Sequence, residues 1–373
     1  MTASLHSPAE RRLQQIEQAR RAVMLEGSSA TDVLVDTWFE RSWIERSWRR
    51  CLAQGRRPEQ RVGFDMIPAQ AMRRTEEANH ALVQAARPVL ERLGRAIAHS
   101  RYFAILTDAQ GVVVDVNGPI DRSDRRAHLI TRIGVDLSER AVGTTAIGAA
   151  LTELQPVWLH RGEHFFQDTS VYSCAGAPVF GPDGRCAGML DLTGIEAPER
   201  PELKHLAAQS ARAIGNALAL AVAHDLLLRL NWPGRGFGDD SEGLLCVDPE
   251  GWVVSANAAA RQMLSQLAAG TRTHCSELFA LPWERLFDAA AHDTPSEVPL
   301  WSGLTLQVLA QPAGSQALPR PAAPDRRLPL KDLEAELIRK AVQEARGNVM
   351  EAARRLGISR ATVYRKLASK NRL

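Results

Sequence analysis

The residues best suited to chemistry crowd one end of the chain. Residues 346–373 carry Arg346, Arg354, Arg355, Arg360, Arg365, Lys366, Lys370 and Arg372 against Glu351 alone, a surplus of seven. The whole chain carries +3, so the rest sums to −4. Basic charge focused in this way points to a polyanion, and a nucleic-acid backbone is the usual one. The apolar positions sharpen that reading. Val349, Ala352, Ala353 and Leu356 recur at helical spacing, Gly357 supplies the turn, and Ser359 is a good N-cap. Val363 and Leu367 then give a second helix its inner face. Two helices joined at a glycine make an all-α helix-turn-helix, which sets its second helix in the major groove of double-stranded DNA. Ser359 and Arg360 stand at the end that enters the groove. An arginine there can pair with guanine in bidentate fashion, worth roughly 1–3 kcal/mol of discrimination. Thr362, Tyr364, Arg365 and Lys366 are placed to grip phosphates and fix register, and Arg354 and Arg355 on the first helix can reach the backbone.

Other chemistries find less support. Five cysteines, Cys51, Cys174, Cys186, Cys246 and Cys275, form no CxxC and are odd in number, which fits neither a disulfide framework nor a zinc knuckle. A reducing, cytoplasmic setting is expected. The first residues lack the apolar core of a signal peptide, and the apolar run at 217–223 is too short to span a bilayer, so no membrane partner is expected. His160, His164 and Cys174 match no standard zinc spacing; neither a metal nor a cofactor is expected. Cys174 and Cys186 fall on adjacent strand-like segments and could pair, which leaves a cysteine-dependent reductase open as an alternative. Such an enzyme has no use for a basic helix-turn-helix, so the expectation is a protein that is not an enzyme. An architectural DNA-bending protein is a further alternative.

The elements that must position these residues divide the chain into five stretches, 1–66, 67–230, 231–310, 311–329 and 330–373. The first is helical and charged, with Trp38, Phe39, Ile44, Trp48 and Leu52 as anchors. In the second, residues 68–100 read as a helix that Pro88 should break or kink. From residue 101 the period changes to two. FAILTD and VVVDV form a hairpin, and a loop runs to about 134. Residues 142–154 read as a short helix opened by Gly143 and Thr144; PVWLH is a strand, and Glu163 to Phe166 lie in a loop. Two strands follow, joined by a Gly181-Pro182-Asp183-Gly184 turn, and a helix from 201 to about 230 closes the unit. The third stretch begins with a Gly-, Asp- and Pro-rich segment at 231–243 and continues as a smaller α+β unit, with a hairpin at 244–256 and a late strand at 304–311. A proline-rich linker leads to an amphipathic helix at 330–345, whose wide apolar stripe suits pairing with a second copy. The fold class expected is therefore multidomain: an α+β sensor, a smaller α+β unit and an all-α helix-turn-helix.

Two resemblances add to this. Gly347, Asn348, Ala352, Ala353, Leu356, Gly357, Ile358, Arg360, Thr362, Val363, Lys366 and Leu367 follow the pattern of a Fis-type helix-turn-helix. SWRRC at 47–51, GVDLSERAVGTTAIGAAL, EHF and SCAGAPVFGPDGRCAGMLDLTG resemble, in order, the GAF sensor of acetoin-catabolism-type activators, and the hairpin-plus-helix unit after it resembles a PAS domain. That likeness implies a small-molecule effector held between the sheet and the 142–166 segment, with Phe103, Trp158, Phe165, Tyr172 and Cys174 as candidate lining residues. It also implies a homodimer on a palindromic operator, with RNA polymerase as a possible partner. Members of that family carry an AAA+ ATPase that drives sigma-54 polymerase. None of the five lysines here follows a glycine, so the 373 residues contain no Walker A motif, and GAFTGA is missing as well. The expected function is ligand-controlled, sequence-specific regulation of transcription without an ATPase of its own.

Overall fold

The structure is a computed structural model and describes residues 7–27, 42–292, 294–314, 349, 350, 353 and 360. It falls into two compact units, Met1–Ser315 and Gln316–Leu373.

The first unit opens with helix α1 (Pro8–Met24), which begins in a capping box between Ser7 and Glu10. Helices α2 (Ser42–Ala53) and α3 (Ala69–Ala96) follow. Pro88 does not break α3. It lies on the solvent side with Gln84, whose carbonyl loses its donor where water can replace it, while Leu82, Ala86, Val89, Leu90 and Leu93 hold the other face in the core.

The first sheet contains β1 (Tyr102–Asp108), β2 (Val113–Asn117), β3 (Val157–His160), β4 (Tyr172–Phe180) and β5 (Cys186–Ile195), antiparallel in the order β2-β1-β5-β4-β3. Alternation along these strands makes two cores. Tyr102, Ala104, Leu106, Ala175, Ala177, Leu190 and Leu192 pack against α3 and helix α7 (Leu203–Leu220). Phe103, Ile105, Tyr172, Cys174 and Met189 face the opposite way, beneath a cover of short helices.

That cover is more helical than its sequence suggests. The segment expected as a loop to residue 134 contains α4 (Arg125–Ile130), capped by Asp124. The helix expected over 142–154 is present as α6 (Ala146–Glu153), capped by Thr145, and a further short helix, α5 (Glu139–Val142), capped by Ser138, precedes it. They break at Gly143, where φ is 70° and ψ −156°. A Cβ at that position would stand 2.8 Å from the Phe166 ring, so only glycine suits both the backbone and the space.

The second sheet corrects a larger expectation. The closing helix ends at Leu220, and the residues read as its continuation form strand β6 (Leu226–Asn231). With β7 (Gly243–Val247), β8 (Val253–Ala256), β9 (Ser296–Pro299) and β10 (Thr305–Pro312) it builds a second antiparallel sheet, ordered β8-β7-β6-β10-β9. The Gly-, Asp- and Pro-rich segment therefore joins two strands of one sheet, and the sheet starts at Leu226, five residues ahead of 231. Helices α8 (Ala258–Met263), α9 (Cys275–Leu278) and α10 (Glu284–Ala289) cover it. If β6 is counted as a fifth strand moved to the front, both sheets have the same spatial order.

The β4–β5 turn plugs into this second sheet. The Pro182 carbonyl accepts from Ala256 N at 3.1 Å and from Arg261 Nη2 at 2.7 Å, and the Asp183 carbonyl accepts from Gly270 N at 3.1 Å.

In the second unit the four described residues, Val349, Met350, Ala353 and Arg360, are helical; Ala353 is buried, while Met350 and Arg360 are exposed. Ser359, Thr362, Tyr364, Arg365, Lys366, Arg354 and Arg355 lie outside the described residues. Among the described residues no helix is long and apolar enough to cross a membrane.

Candidate functional site

Between the first sheet and its helical cover lies a small cavity of about 30 Å3. Ile105, Ile130, Leu137, Val142, Ala146 and Ile147 supply apolar wall, and Thr145, His164, Thr169, Tyr172, Cys174, Asp191 and Thr193 bring polar atoms to it. Strand alternation explains the floor: Asp191 and Thr193 share a face of β5, and Cys174 stands opposite Thr193 on β4.

Two of these polar atoms stand out. Asp191 is 1% exposed; its Oδ2 accepts a hydrogen bond from the Thr193 hydroxyl, while its Oδ1 has no partner among the described residues. His164 is equally buried. Its Nδ1 lies 2.9 Å from the Arg161 carbonyl, and its Nε2 has no partner among the described residues. A carbonyl can only accept, so Nδ1 carries the proton and Nε2 presents a lone pair. Burial sets the protonation of both groups. It pushes the Asp191 carboxyl up to about 7 and His164 down to about 4.

The cover is tied down by the first two helices, which gives the SWRRC segment its role. Ser47 donates to Glu139 Oε2 at 2.7 Å, and the Thr144 hydroxyl lies 2.7 Å from Ser47 Oγ. Arg50 donates to both Glu139 oxygens, at 2.7 and 2.8 Å. The Trp48 indole donates to the Glu163 carbonyl at 2.8 Å. From α1, Arg20 donates to the carbonyls of Gly162, His164 and Phe165 and lies over the Trp48 ring. Arg12 pairs with Glu163, which is fully buried and whose carboxyl burial pushes up. The segment that presents His164 to the cavity is thus fixed through its backbone by a helix more than a hundred residues away in sequence.

Of the five residues expected to line an effector site, Tyr172 and Cys174 line the cavity. Trp158 is placed on the other face of the sheet, among the residues packed on α3 and α7, because β3 pairs it with Ala175 rather than with Cys174. Phe165 is fully buried against Phe166, with ring centroids 4.9 Å apart, and Phe103 borders a separate cleft near Pro119 and Asp124. Sequence reasoning missed Asp191, Thr193 and Thr145. The available signal was an acidic residue inside an otherwise apolar strand, GMLDLTG. The cysteine pair is corrected too. Cys174 faces Thr193 while Cys186 faces Phe180, so six residues of strand, about 20 Å, separate the two positions along the sheet. Burial raises both thiols, Cys174 well above its usual value. His160 hydrogen-bonds Ser173 at 2.8 Å, and no group of three or more His, Cys, Asp or Glu able to hold a metal occurs among the described residues.

The described part of the chain is a two-sheet α/β region of sensor type, and comparison with known proteins gives the family. Residues 24–216 match the family model described as "MimR, N-terminal domain", and residues 329–369 match "Bacterial regulatory protein, Fis family". The chain belongs to the MimR N-terminal-domain family and carries a Fis-type helix-turn-helix. It is 32% identical over 267 residues to the acetoin catabolism regulatory protein of Cupriavidus necator, covering 70% of this chain and 40% of that one. It is 35% identical over 135 residues to the acetoin dehydrogenase operon transcriptional activator AcoR of Bacillus subtilis, covering 36% and 22%. The E. coli DhaR(N)–DhaL complex aligns with a TM-score of 0.45 and 18% identity, over 72% of this chain and 99% of that one. The chain therefore spans less than half the length of the curated relatives it matches here, and its 373 residues show no ATPase domain.

Proposed function

We propose that the chain is a sequence-specific DNA-binding regulator of transcription whose DNA occupancy is set by a small molecule taken into the cavity beneath α5 and α6. The observation that carries this reading is the cavity itself, a small space lined by two buried polar atoms with no partner among the described residues, in the same chain as a Fis-type match. The first sheet and its cover act as a GAF-type sensor. The second, PAS-like sheet receives the β4–β5 turn, whose strands also carry Cys174, Asp191 and Thr193 from the cavity floor. A change at the floor thus has a covalent route to the second sheet. Two copies of the chain set two recognition helices into successive major grooves of a palindromic operator, about 34–36 Å apart. Ser359 and Arg360 read base edges, and Thr362, Tyr364, Arg365, Lys366, Arg354 and Arg355 hold the backbone. The effector acts by binding one dimer geometry more tightly than another. With no ATPase in the chain, regulation proceeds by recruiting polymerase, by occlusion or by competition with a longer relative.

Genome-wide footprinting of the full chain tests this. Protection of a limited set of two-fold-symmetric sites, lost on Arg360→Ala at fixed salt, supports the reading. Uniform coating of DNA, or unchanged site-specific binding by that variant, contradicts it.

A further inference from the structure

Resting on the reading of the cavity as the effector site, we propose that its ligand is a short, uncharged diol, held by hydroxyl groups at His164 Nε2 and Asp191 Oδ1.

Size comes first. A cavity of about 30 Å3 has room for roughly two to three waters, so an occupant that needs no large rearrangement has roughly three to five non-hydrogen atoms. Polarity comes next. Ile105, Ile130, Leu137, Val142 and Ile147 offer a small molecule only apolar contact, which suits a short carbon skeleton. The two partnerless polar atoms face that space from opposite walls, Asp191 from the sheet and His164 from the cover.

What each atom accepts follows from its other bonds. His164 Nδ1 donates to the Arg161 carbonyl, so Nε2 demands a donor from the ligand, and a ketone or ether oxygen cannot serve there. Asp191 Oδ2 is taken by the Thr193 hydroxyl, which leaves Oδ1 as the atom offered to the cavity. A ligand hydroxyl satisfies Oδ1 in either protonation state, donating to the carboxylate or accepting from the acid. A carbonyl satisfies only the acid. An anion meets a lone pair and a carboxyl group, and no cationic side chain lines the cavity. Hydroxyls at both ends are therefore the groups that complete this site.

The test uses the full-length chain at about pH 8, where Asp191 is mainly ionised, and follows its thermal transition with about 10 mM of four three-carbon probes. These are propane-1,2-diol, hydroxypropanone, propanone and lactate. The diol should stabilise the protein, with the other three at least about tenfold weaker. Asp191→Asn keeps the shape and leaves an amide oxygen for Thr193, turning the NH2 toward the cavity. The preference should then swing toward hydroxypropanone, which offers a hydroxyl to His164 and a carbonyl to the amide. Ala146→Val, which adds two methyl groups to the cavity wall, should abolish stabilisation by every probe and provides the control should the Asn variant not fold. If hydroxypropanone, propanone or lactate stabilises the wild type as well as the diol, and Ala146→Val removes the effect, the cavity is an effector site and the diol assignment is wrong. If no probe stabilises the wild type, and Ala146→Val occupies DNA as the wild type does, the cavity holds only water and both readings fall.

Discussion

Replacing Asp191 by asparagine should change how stability depends on pH, by an amount the structure sets. Asp191 is 1% exposed, and burial pushes its carboxyl from 3.8 to about 7. Below 3.8 the group is protonated both folded and unfolded and favours neither state. Between 3.8 and about 7 the unfolded chain has released a proton that the folded chain still holds, so stability falls as pH rises, by about 1.4 kcal/mol per pH unit. The loss totals about 4 kcal/mol and is complete above the folded value. His164 acts in the opposite sense. Burial lowers it from 6.5 to about 4, so across that interval the unfolded chain binds the extra proton and stability rises with pH. In the wild type the two slopes oppose each other and largely cancel over the shared window. The difference between Asp191→Asn and the wild type isolates the carboxyl, and the variant should gain about 4 kcal/mol relative to the wild type between about pH 4 and about pH 8. Guanidinium unfolding of both proteins across that range measures it, with equal denaturant slopes as the control. A difference that stays flat, or that shrinks as pH rises, would refute the buried, desolvated carboxyl on which the cavity's chemistry depends.

Other perturbations probe the cover and the DNA-binding end. Arg20→Met removes the donor from three carbonyls around His164 and should destabilise the first unit by about 3 kcal/mol, read as a lowered denaturation midpoint; a neutral result would contradict the role given to α1. Trp48→Phe keeps an aromatic ring but loses the indole N–H and part of its buried volume, strands the Glu163 carbonyl, and should cost at least about 1–3 kcal/mol in the same assay. Gly143→Ala forces a side chain into the Phe166 ring at a φ of 70°, and should lower stability by at least about 2 kcal/mol, with wild-type stability ruling out the described break between α5 and α6. Arg360→Ala should weaken operator binding by roughly 1–3 kcal/mol at fixed salt and relax base preference at one position; an unchanged dissociation constant would unseat Arg360 from the groove.

Much of the first sheet was legible because alternation, the Asp183-Gly184 turn and the change of period at residue 101 all point one way. The β6 segment was not legible. LLLRLN follows an alanine- and leucine-rich helix, and a short, continuous apolar run reads equally as buried helix or buried strand until its neighbours are known. Pro88 misled for the opposite reason: its local cost is real, but packing of α3 along its other face and water at the freed carbonyl outweigh it. At the cavity, chain order alone does not say which aromatic residues reach it: Trp158 lies on the other face of the sheet, Phe165 packs on Phe166, and Phe103 borders a separate cleft. Asp191 is conspicuous as an acid in an apolar strand, but nothing local says which face of the sheet it takes. Only the strand register brings it onto a face with Cys174 and Thr193 and beneath His164, and register is set by pairing between residues far apart in sequence.

On the proposed function, the state of this cavity decides how the chain occupies DNA. The most direct measurement compares footprint occupancy of wild type and Ala146→Val, expressed at equal levels, at the sites the wild type protects. Filling the cavity should leave the set of sites intact and change occupancy at all of them, severalfold and in one direction. Equal occupancy at every site by a folded Ala146→Val protein would contradict the claim.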